Sequence, residues 1–153
     1  GLTGGVVAVG GSIGLYGSKP DGTPWRVAVR DPEGEATDGL GVLNLEACCV
    51  STSGSYEKTF TQDGVTYHHL LDPKTGYPAE TGLLSVTVVH ENGAVSDALA
   101  TACFVLSLED SLPVLKEMGA SAVFVDEAHH VTVAGELDFE LTADGYTVSQ
   151  EAL

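Results

Sequence analysis

Short apolar or alternating runs, separated by glycine-rich turns, dominate the chain. Residues 25–30 alternate, with Trp25, Val27 and Val29 on one face, which predicts a strand with one buried side. Similar runs rich in β-branched residues predict further strands. These strands are expected at residues 6–9, 40–50, 65–71, 83–90, 120–125, 130–133 and 146–148.

Two consecutive segments depart from this pattern and predict helices. Residues 96–108 hold strong helix formers behind a candidate N-cap at Ser96, and they are apolar nearly all round, which predicts a buried helix. Residues 110–119 place Pro113 in the first turn and Gly119 at the end. Together, the predicted strands and helices indicate an α+β domain over residues 1–153, with two consecutive helices packed on a mixed or antiparallel sheet.

Composition supports one folded domain and narrows the class of partner. The chain has 153 residues, of which 43 % are hydrophobic and 18 % are charged, enough to bury a core. Six Lys and Arg against 22 Asp and Glu give a net charge of −16. Such a charge disfavours nucleic acid and anionic lipid as binding partners, because both are bound by clusters of basic side chains. No apolar run is long enough to predict a membrane span.

The N-terminal residues and the three cysteines bear on processing and on metal or disulfide sites. The opening Gly-Leu-Thr-Gly-Gly lacks an initiating Met and a basic segment, so we expect a piece of a longer polypeptide and no signal peptide. Cys48, Cys49 and Cys103 lack C-x-x-C spacing, which argues against a zinc site and a disulfide framework. We expect all three to behave as small buried hydrophobic residues.

A glycine-rich segment, Gly-Gly-Ser-Ile-Gly at residues 10–14, follows the first predicted strand. Its spacing fits neither dinucleotide-binding nor P-loop patterns. A tight bend or bulge that glycine permits is favoured. The alternative is a ligand-binding loop, in which the absence of side chains lets the backbone approach a flat or phosphorylated ligand closely.

Two histidines precede a turn-forming segment at residues 68–78. On a strand, His68 and His69 would face opposite sides, so at most one would point into a site. Asp72 can cap the turn that follows, and Gly76 permits a left-handed residue. This rigid turn would hold an imidazole at a defined angle for binding or proton transfer, although a structural histidine is the commoner case.

Asp97 and Thr101 lie four residues apart, on one face of the first predicted helix. A carboxylate with a hydroxyl suits Mg²⁺, which completes its shell with water and phosphate oxygens. Spacing alone favours a structural role for both residues. In that role Asp97 lies at the positive end of the helix dipole, and the Thr101 hydroxyl donates a hydrogen bond to a helix carbonyl. The hydroxyl residues 52–56 are expected on a loop, and no hydrolase triad is evident. His129 and His130 are expected at the surface.

Taken in order, these segments resemble the ApbE family, the FAD:protein FMN transferases once labelled thiamine-biosynthesis lipoproteins. The most specific matches are His-x-x-Asp-Pro-x-Thr-Gly at residues 69–76 and Asp-Ala-Leu-Ala-Thr at residues 97–101. Further matches lie at residues 9–13, 24–29, 52–57 and 85–88. The resemblance covers nearly all of this chain but only the C-terminal part of a family member, with the T-fold-like architecture of that part.

The resemblance implies an activity and the residues that carry it. Family enzymes bind FAD, use Mg²⁺ to engage its diphosphate, and transfer FMN to a Ser or Thr hydroxyl of an acceptor flavoprotein subunit, releasing AMP. The family's metal ligands fall on Asp97 and Thr101, its catalytic or flavin-proximal histidine falls on His69, and Leu71 falls beside the flavin. Asp97 is the alternative proton acceptor. The family's usual location implies an exported, periplasmic or membrane-anchored lipoprotein.

The chain departs from the family in two ways. Ser12 and Ser55 stand where the family often carries acidic or amide residues, so contacts from these positions are in question. The upstream family segment, which supplies a further metal oxygen and much of the FAD cleft, has no counterpart here. We therefore expect this chain alone to be inactive or to bind FAD weakly. The alternatives are a Mg²⁺-dependent FAD pyrophosphatase, a flavin-binding module without turnover, and a structural domain.

Overall fold

The computed structural model describes residues 1–153 as twelve strands and two helices. In chain order they are β1 (Gly4–Val9), β2 (Ser12–Gly17), β3 (Trp25–Arg30), β4 (Gly39–Leu45), β5 (Cys49–Gly54), β6 (Phe60–Gln62), β7 (Val65–Tyr67), β8 (Leu83–His90), α1 (Gly93–Leu106), α2 (Leu108–Met118), β9 (Ser121–Asp126), β10 (His130–Ala134), β11 (Asp138–Leu141) and β12 (Thr147–Glu151).

Three layers form around a large mixed sheet. Its seven strands run in the order β1-β2-β5-β8-β9-β10-β12, and every pair is antiparallel except the parallel pair β10 and β12. Helices α1 and α2 cover one face, and the three-stranded sheet β11-β4-β3 packs on the other. β6 and β7 form a separate hairpin. The predicted α+β fold with two consecutive helices is confirmed.

The central strands are apolar on both faces because each face contacts a different core. In β9, Ala122 and Phe124 point into the core beneath the helices. Val123 and Val125 point into the core shared with the small sheet. Side chains alternate across a strand, so a sheet covered on both sides needs a continuous apolar run. This explains why residues 120–125 are predicted correctly as a strand without alternation.

Several predicted strand boundaries are wrong. Residues 40–50 are not one extended segment: β4 belongs to the small sheet and β5 to the large one, with a turn between them. The predicted strand 65–71 stops at Tyr67, so His68 and His69 lie in a loop. Thr52 and Ser53 lie on β5, inside the large sheet, and not on a loop. β6 and β11 are short and partly polar, and the sequence pattern missed both. It also missed β2, in which glycines separate the apolar residues.

The prediction of the first helix needs three corrections. α1 begins at Gly93, and its N-cap is Asn92, whose Oδ1 accepts hydrogen bonds from the backbone N–H groups of Ala94 and Val95 at 2.9 and 3.3 Å. Ser96 therefore lies inside the helix, where it is fully buried. The helix is also not buried all round, because one face is exposed.

The second helix has the predicted end but an earlier start. Gly119 terminates α2 in a left-handed conformation, with φ of 64°, as predicted. The helix begins at Leu108, so Pro113 lies in its interior and not in its first turn. Neither helix is long and apolar enough to cross a membrane. All three cysteines are free; Cys103 is buried, and Cys48 and Cys49 are partly exposed.

Candidate functional site

Asp97 and Thr101 share an exposed face of α1, and each contacts a serine of the large sheet. Ser12 Oγ on β2 donates a hydrogen bond to Asp97 Oδ1 at 3.2 Å. Ser53 Oγ on β5 lies 3.1 Å from Thr101 Oγ1. Both α1 side chains are exposed, and they lie one helical turn apart. The pair is therefore open to a ligand from outside the domain.

A chain of hydroxyl groups leads from the buried side of α1 to the Asp97 carboxylate. Ser96 Oγ and Ser51 Oγ are 2.8 Å apart, and Ser51 Oγ donates to Ser12 Oγ at 3.0 Å. Ser12 donates its only proton to Asp97, and Ser51 donates its proton to Ser12. Ser96 Oγ can donate to Ser51 or to the Gly93 carbonyl, which lies 3.3 Å away. The donors Ser51 and Ser12 thus point along one direction that ends at the carboxylate. Such a series polarises each successive hydroxyl and orients the carboxylate.

The hydroxyl and carboxylate fit a hard cation that brings most of its own ligands. Ser12 occupies one lone-pair position of Asp97, and the rest of the carboxylate is free to coordinate. Thr101 can donate its proton to Ser53 and keep its lone pairs for a cation, since either oxygen of that pair can be the donor. No cluster of three or more His, Cys, Asp or Glu side chains is present. Two protein oxygens suit Mg²⁺ with water and phosphate oxygens as the remaining ligands.

The glycine-rich segment forms the turn that places Ser12 beside α1. Val9 pairs with Ser12 across a two-residue turn, in which Gly10 has a φ of 59°. A Cβ at Gly11 would lie 3.0 Å from the carbonyl oxygen of Thr52, whose N–H donates to the Gly11 carbonyl at 3.0 Å. The predicted tight bend is thus confirmed. Its glycines let the β1–β2 turn close against β5.

The segment after the histidines is the predicted rigid turn. Asp72 Oδ1 accepts from the N–H of Lys74 at 2.8 Å, and the Asp72 carbonyl accepts from Gly76 N–H at 2.8 Å. Gly76 has a φ of 73°, as predicted for a left-handed residue. Asp72 N–H donates to the Tyr77 carbonyl at 2.9 Å, which closes the loop.

The two histidines lie in different surroundings. His68 is partly buried, and its ring meets the Phe104 ring edge-on, with centroids 5.6 Å apart. The pKa of His68 is lowered mainly by burial; a hydrogen bond with the Ala79 backbone raises it in part, and the neighbouring His69 lowers it. His69 is exposed, and its Nδ1 lies 3.1 Å from the backbone carbonyl oxygen of Glu57.

Leu71 lines a groove with aromatic side chains that were not predicted from the sequence; Phe60 and Tyr77 among them are exposed. The groove has a volume of about 470 Å³, and its lining includes Leu71 and His68 but not His69. Its aromatic members are Phe60, Tyr67 and Tyr77. The Phe60 and Tyr67 rings stack with centroids 5.2 Å apart. The available sequence signal was the pair of aromatic residues that flank the Asp63-Gly64 turn, followed by Tyr77 after Gly76.

The structure thus brings some predicted residues together and keeps others apart. Asp97 and Thr101 form one exposed pair, which meets the geometric requirement of the metal prediction. His69 does not line the groove that Leu71 lines. Ser12, whose contacts were in question, hydrogen-bonds to Asp97, and Ser53 was missed as a partner of Thr101.

Comparison with known proteins assigns the chain to a family. A sequence profile described as the ApbE family matches residues 1–125. FAD:protein FMN transferase of Treponema pallidum is 46 % identical over 102 residues, covering 66 % of this chain and 28 % of the relative. The enzyme of the same name from Escherichia coli K12 is 34 % identical over 120 residues, covering 78 % of this chain and 34 % of the relative. The chain belongs to the ApbE family.

Solved structures agree with that assignment. The crystal structure of the ApbE protein from Thermotoga maritima superposes with a TM-score of 0.74 at 38 % identity, over 90 % of this chain and 42 % of that one. The apo flavinyl transferase ApbE of Pseudomonas stutzeri gives a TM-score of 0.64 at 37 % identity, over 83 % and 39 %. The chain spans only about a third of the length of its sequence relatives: 28 % of the Treponema pallidum enzyme and 34 % of the Escherichia coli enzyme.

Proposed function

We propose that the polypeptide carrying this chain transfers FMN from FAD to a Ser or Thr hydroxyl of an acceptor flavoprotein subunit and releases AMP. The observation that carries the proposal is the exposed Asp97–Thr101 pair on α1, oriented by serines of the sheet, within a chain that belongs to the ApbE family. The names of the relatives, FAD:protein FMN transferase, support the same reaction.

The charge of the chain supports a role for Mg²⁺. With a net charge of −16, the chain repels a dinucleotide diphosphate unless a cation bridges them. Asp97 and Thr101 would hold this ion, and Ser12 would keep the carboxylate turned toward it. When bound, Mg²⁺ neutralises charge on the diphosphate oxygens during phosphoryl transfer.

The reaction balances as a substitution at the phosphorus of the FMN half. The acceptor oxygen forms a bond to that phosphorus, and the bond from this phosphorus to the bridging oxygen breaks, so AMP leaves with that oxygen. The hydroxyl proton needs an acceptor, and we assign it to His69, with Asp97 as the alternative. The aromatic groove beside Leu71 offers apolar surface for the flat isoalloxazine ring.

A labelling experiment tests the function. The full polypeptide is incubated with FAD, MgCl₂ and candidate acceptor proteins, covalent flavin is read by fluorescence of denatured protein, and AMP is read by chromatography. We expect Asp97→Asn to lose covalent labelling and AMP release together. The matched control is Asp144→Asn, an exposed carboxylate in the turn before β12, which should behave as wild type.

The same experiment separates the alternatives. Release of AMP with free FMN, and no covalent flavin on any acceptor, would identify a Mg²⁺-dependent FAD pyrophosphatase. Bound FAD without AMP under any divalent metal would identify a flavin-binding module. Either outcome overturns the transferase proposal.

Two further parts of the proposal concern the whole polypeptide. We propose that residues 1–153 alone bind FAD weakly, because they provide only two oxygens for the metal. Calorimetry with FAD and Mg²⁺ on this segment and on the full polypeptide tests that, and tight binding by the segment alone would contradict it. We also propose an exported, membrane-anchored location, on family membership alone, which cell fractionation tests.

A further inference from the structure

The ring of His69 is held by a group that can only accept a hydrogen bond. Its Nδ1 lies 3.1 Å from the Glu57 carbonyl oxygen. A carbonyl has no proton to donate, so the hydrogen bond exists only when Nδ1 carries the proton. In the neutral imidazole, Nε2 then holds the free lone pair. The contact therefore selects the tautomer whose Nε2 can accept a proton.

His68 shows the opposite arrangement one residue earlier. The N–H of Leu70 donates to His68 Nδ1 at 3.3 Å. An amide N–H can only donate, so Nδ1 of neutral His68 must be unprotonated and its proton lies on Nε2. Two adjacent histidines thus occupy opposite tautomers, and His68 provides an internal reference for His69.

The Glu57 carbonyl belongs to a turn that is anchored to the large sheet. Glu57 N–H donates to the Gly54 carbonyl at 3.4 Å, which closes the turn that follows β5. Within the turn, Ser55 N–H donates to the Leu84 carbonyl on β8 at 3.0 Å. These bonds hold the turn as far as the N–H of Glu57. The Glu57 carbonyl belongs to the next peptide unit, and the side chains of Tyr56 and Glu57 make further contacts beside it.

Arg30, at the end of β3, makes both of these contacts. Its guanidinium carbon lies 4.6 Å from the centroid of the Tyr56 ring, and its Nη1 lies 3.8 Å from Glu57 Oε1. The Tyr56 ring in turn occupies the space over Gly54, where a Cβ would come within 2.4 Å of a ring carbon. Arg30 therefore stacks on the Tyr56 ring, which packs against β5, and it pairs with the Glu57 carboxylate. The backbone carbonyl of Glu57 is the group that contacts His69.

We propose that Arg30 is a positioning residue for His69: through Tyr56 and Glu57 it fixes the carbonyl that keeps the proton on Nδ1 and leaves Nε2 free. The catalytic part of this inference rests on the proposed function, since Nε2 would take the proton of the acceptor hydroxyl as its oxygen bonds to phosphorus. The ring then becomes a cation with both nitrogens protonated, and it returns the proton to solvent after AMP leaves. The tautomer itself is a property of the structure that does not need FAD.

Nuclear magnetic resonance tests the tautomer directly. Long-range ¹H–¹⁵N correlation on the histidine-labelled full polypeptide, at pH about 8 where an ordinary imidazole is neutral, distinguishes the two ring nitrogens. We expect His69 to be protonated on Nδ1 and His68 on Nε2. Arg30→Met should give a mixture of tautomers at His69 and leave His68 unchanged. The matched control is Arg26→Met, on the same strand, which loses only an exposed pair with Glu140.

Two results would overturn the inference. One is a wild-type His69 with its proton on Nε2, and the other is an Arg30→Met protein whose His69 pattern equals wild type. If Arg30→Met does not fold, Tyr56→Leu removes the stacked ring instead and should also mix the tautomers. Tyr56→Phe keeps the ring and should not.

Kinetics then tests the link to catalysis. We expect Arg30→Met to lower kcat for FMN transfer by about 10-fold, a fraction of what a general base contributes, with little change in KM for FAD. Arg26→Met should match wild type. Mixed tautomers with an unchanged kcat would overturn the catalytic part. Mixed tautomers in a polypeptide whose wild type transfers no FMN would support the positioning of His69 and contradict the proposed function.

Discussion

Ser12 Oγ donates a hydrogen bond to Asp97 Oδ1 at 3.2 Å, across a sequence separation of 85 residues. The bond joins the strand that follows the Gly10-Gly11 turn to the exposed face of α1. It ends a series of hydroxyl donors that begins at the buried Ser51. The carboxylate proposed to bind Mg²⁺ is therefore oriented from the core of the domain.

Replacing Ser12 tests whether this orientation matters. Ser12→Ala removes the donor to Asp97, and we expect Mg²⁺ to activate FMN transfer at about 10-fold higher concentration, as is typical when the partner of a metal ligand is lost. The dependence of the transfer rate on MgCl₂ concentration measures this. Ser18→Ala, an exposed serine just after the same strand, serves as the control. Equal MgCl₂ dependence in the wild type and Ser12→Ala would show that Asp97 needs no such support.

Thr101 offers a test of the hydroxyl as a ligand. Thr101→Val keeps the shape of the side chain but removes the oxygen, so we expect activity to fall and the requirement for MgCl₂ to rise. Thr101→Ser keeps the oxygen and should restore most of both. Stability should change little in either variant, because the side chain is exposed. If Thr101→Val retained the activity of Thr101→Ser, Thr101 would not be a metal ligand.

The start of α1 depends on Asn92. Asn92→Ala removes the acceptor for two backbone N–H groups, so we expect the free energy of unfolding to fall by about 1 kcal/mol. For a domain of this size, that corresponds to a Tm lower by roughly 2–4 °C. Calorimetry measures it, with Asn92→Asp as the variant that keeps a capping oxygen and most of the stability. A Tm for Asn92→Ala equal to that of wild type would contradict the observed cap.

Burial of His68 makes stability depend on pH. Because its pKa is lowered in the folded state, mainly by burial, the unfolded chain binds the proton more readily. The free energy of unfolding should therefore rise with pH up to the ordinary value of about 6.5 and change no further above it. Urea unfolding at a series of pH values measures this. His68→Gln should remove this part of the pH dependence, and parallel profiles for the two proteins would disprove it.

Local rules predicted much of the site. The turn at Asp72 follows from residue types whose conformations are nearly independent of the rest of the chain, and the structure shows the expected hydrogen bonds. The placement of Asp97 and Thr101 on one helix face follows from helical geometry, and it survives a wrong prediction of where the helix begins. Strands β8 and β9 were predicted from the sequence because continuous apolar runs indicate strands buried on both faces.

Sequence patterns were enough to predict the class of fold, most of the strands, both helices, the turn at Asp72 and the spacing of the Asp97–Thr101 pair. The contacts of Ser12 and Ser53 with that pair, and the contact of His69 with the Glu57 carbonyl, arise only in the folded domain. The end of β7 before His68 also depends on the folded domain. The physical reason is that these contacts depend on which strands become neighbours and in what register. Hydrogen bonding and packing across the whole sheet set that order, and no local pattern specifies it.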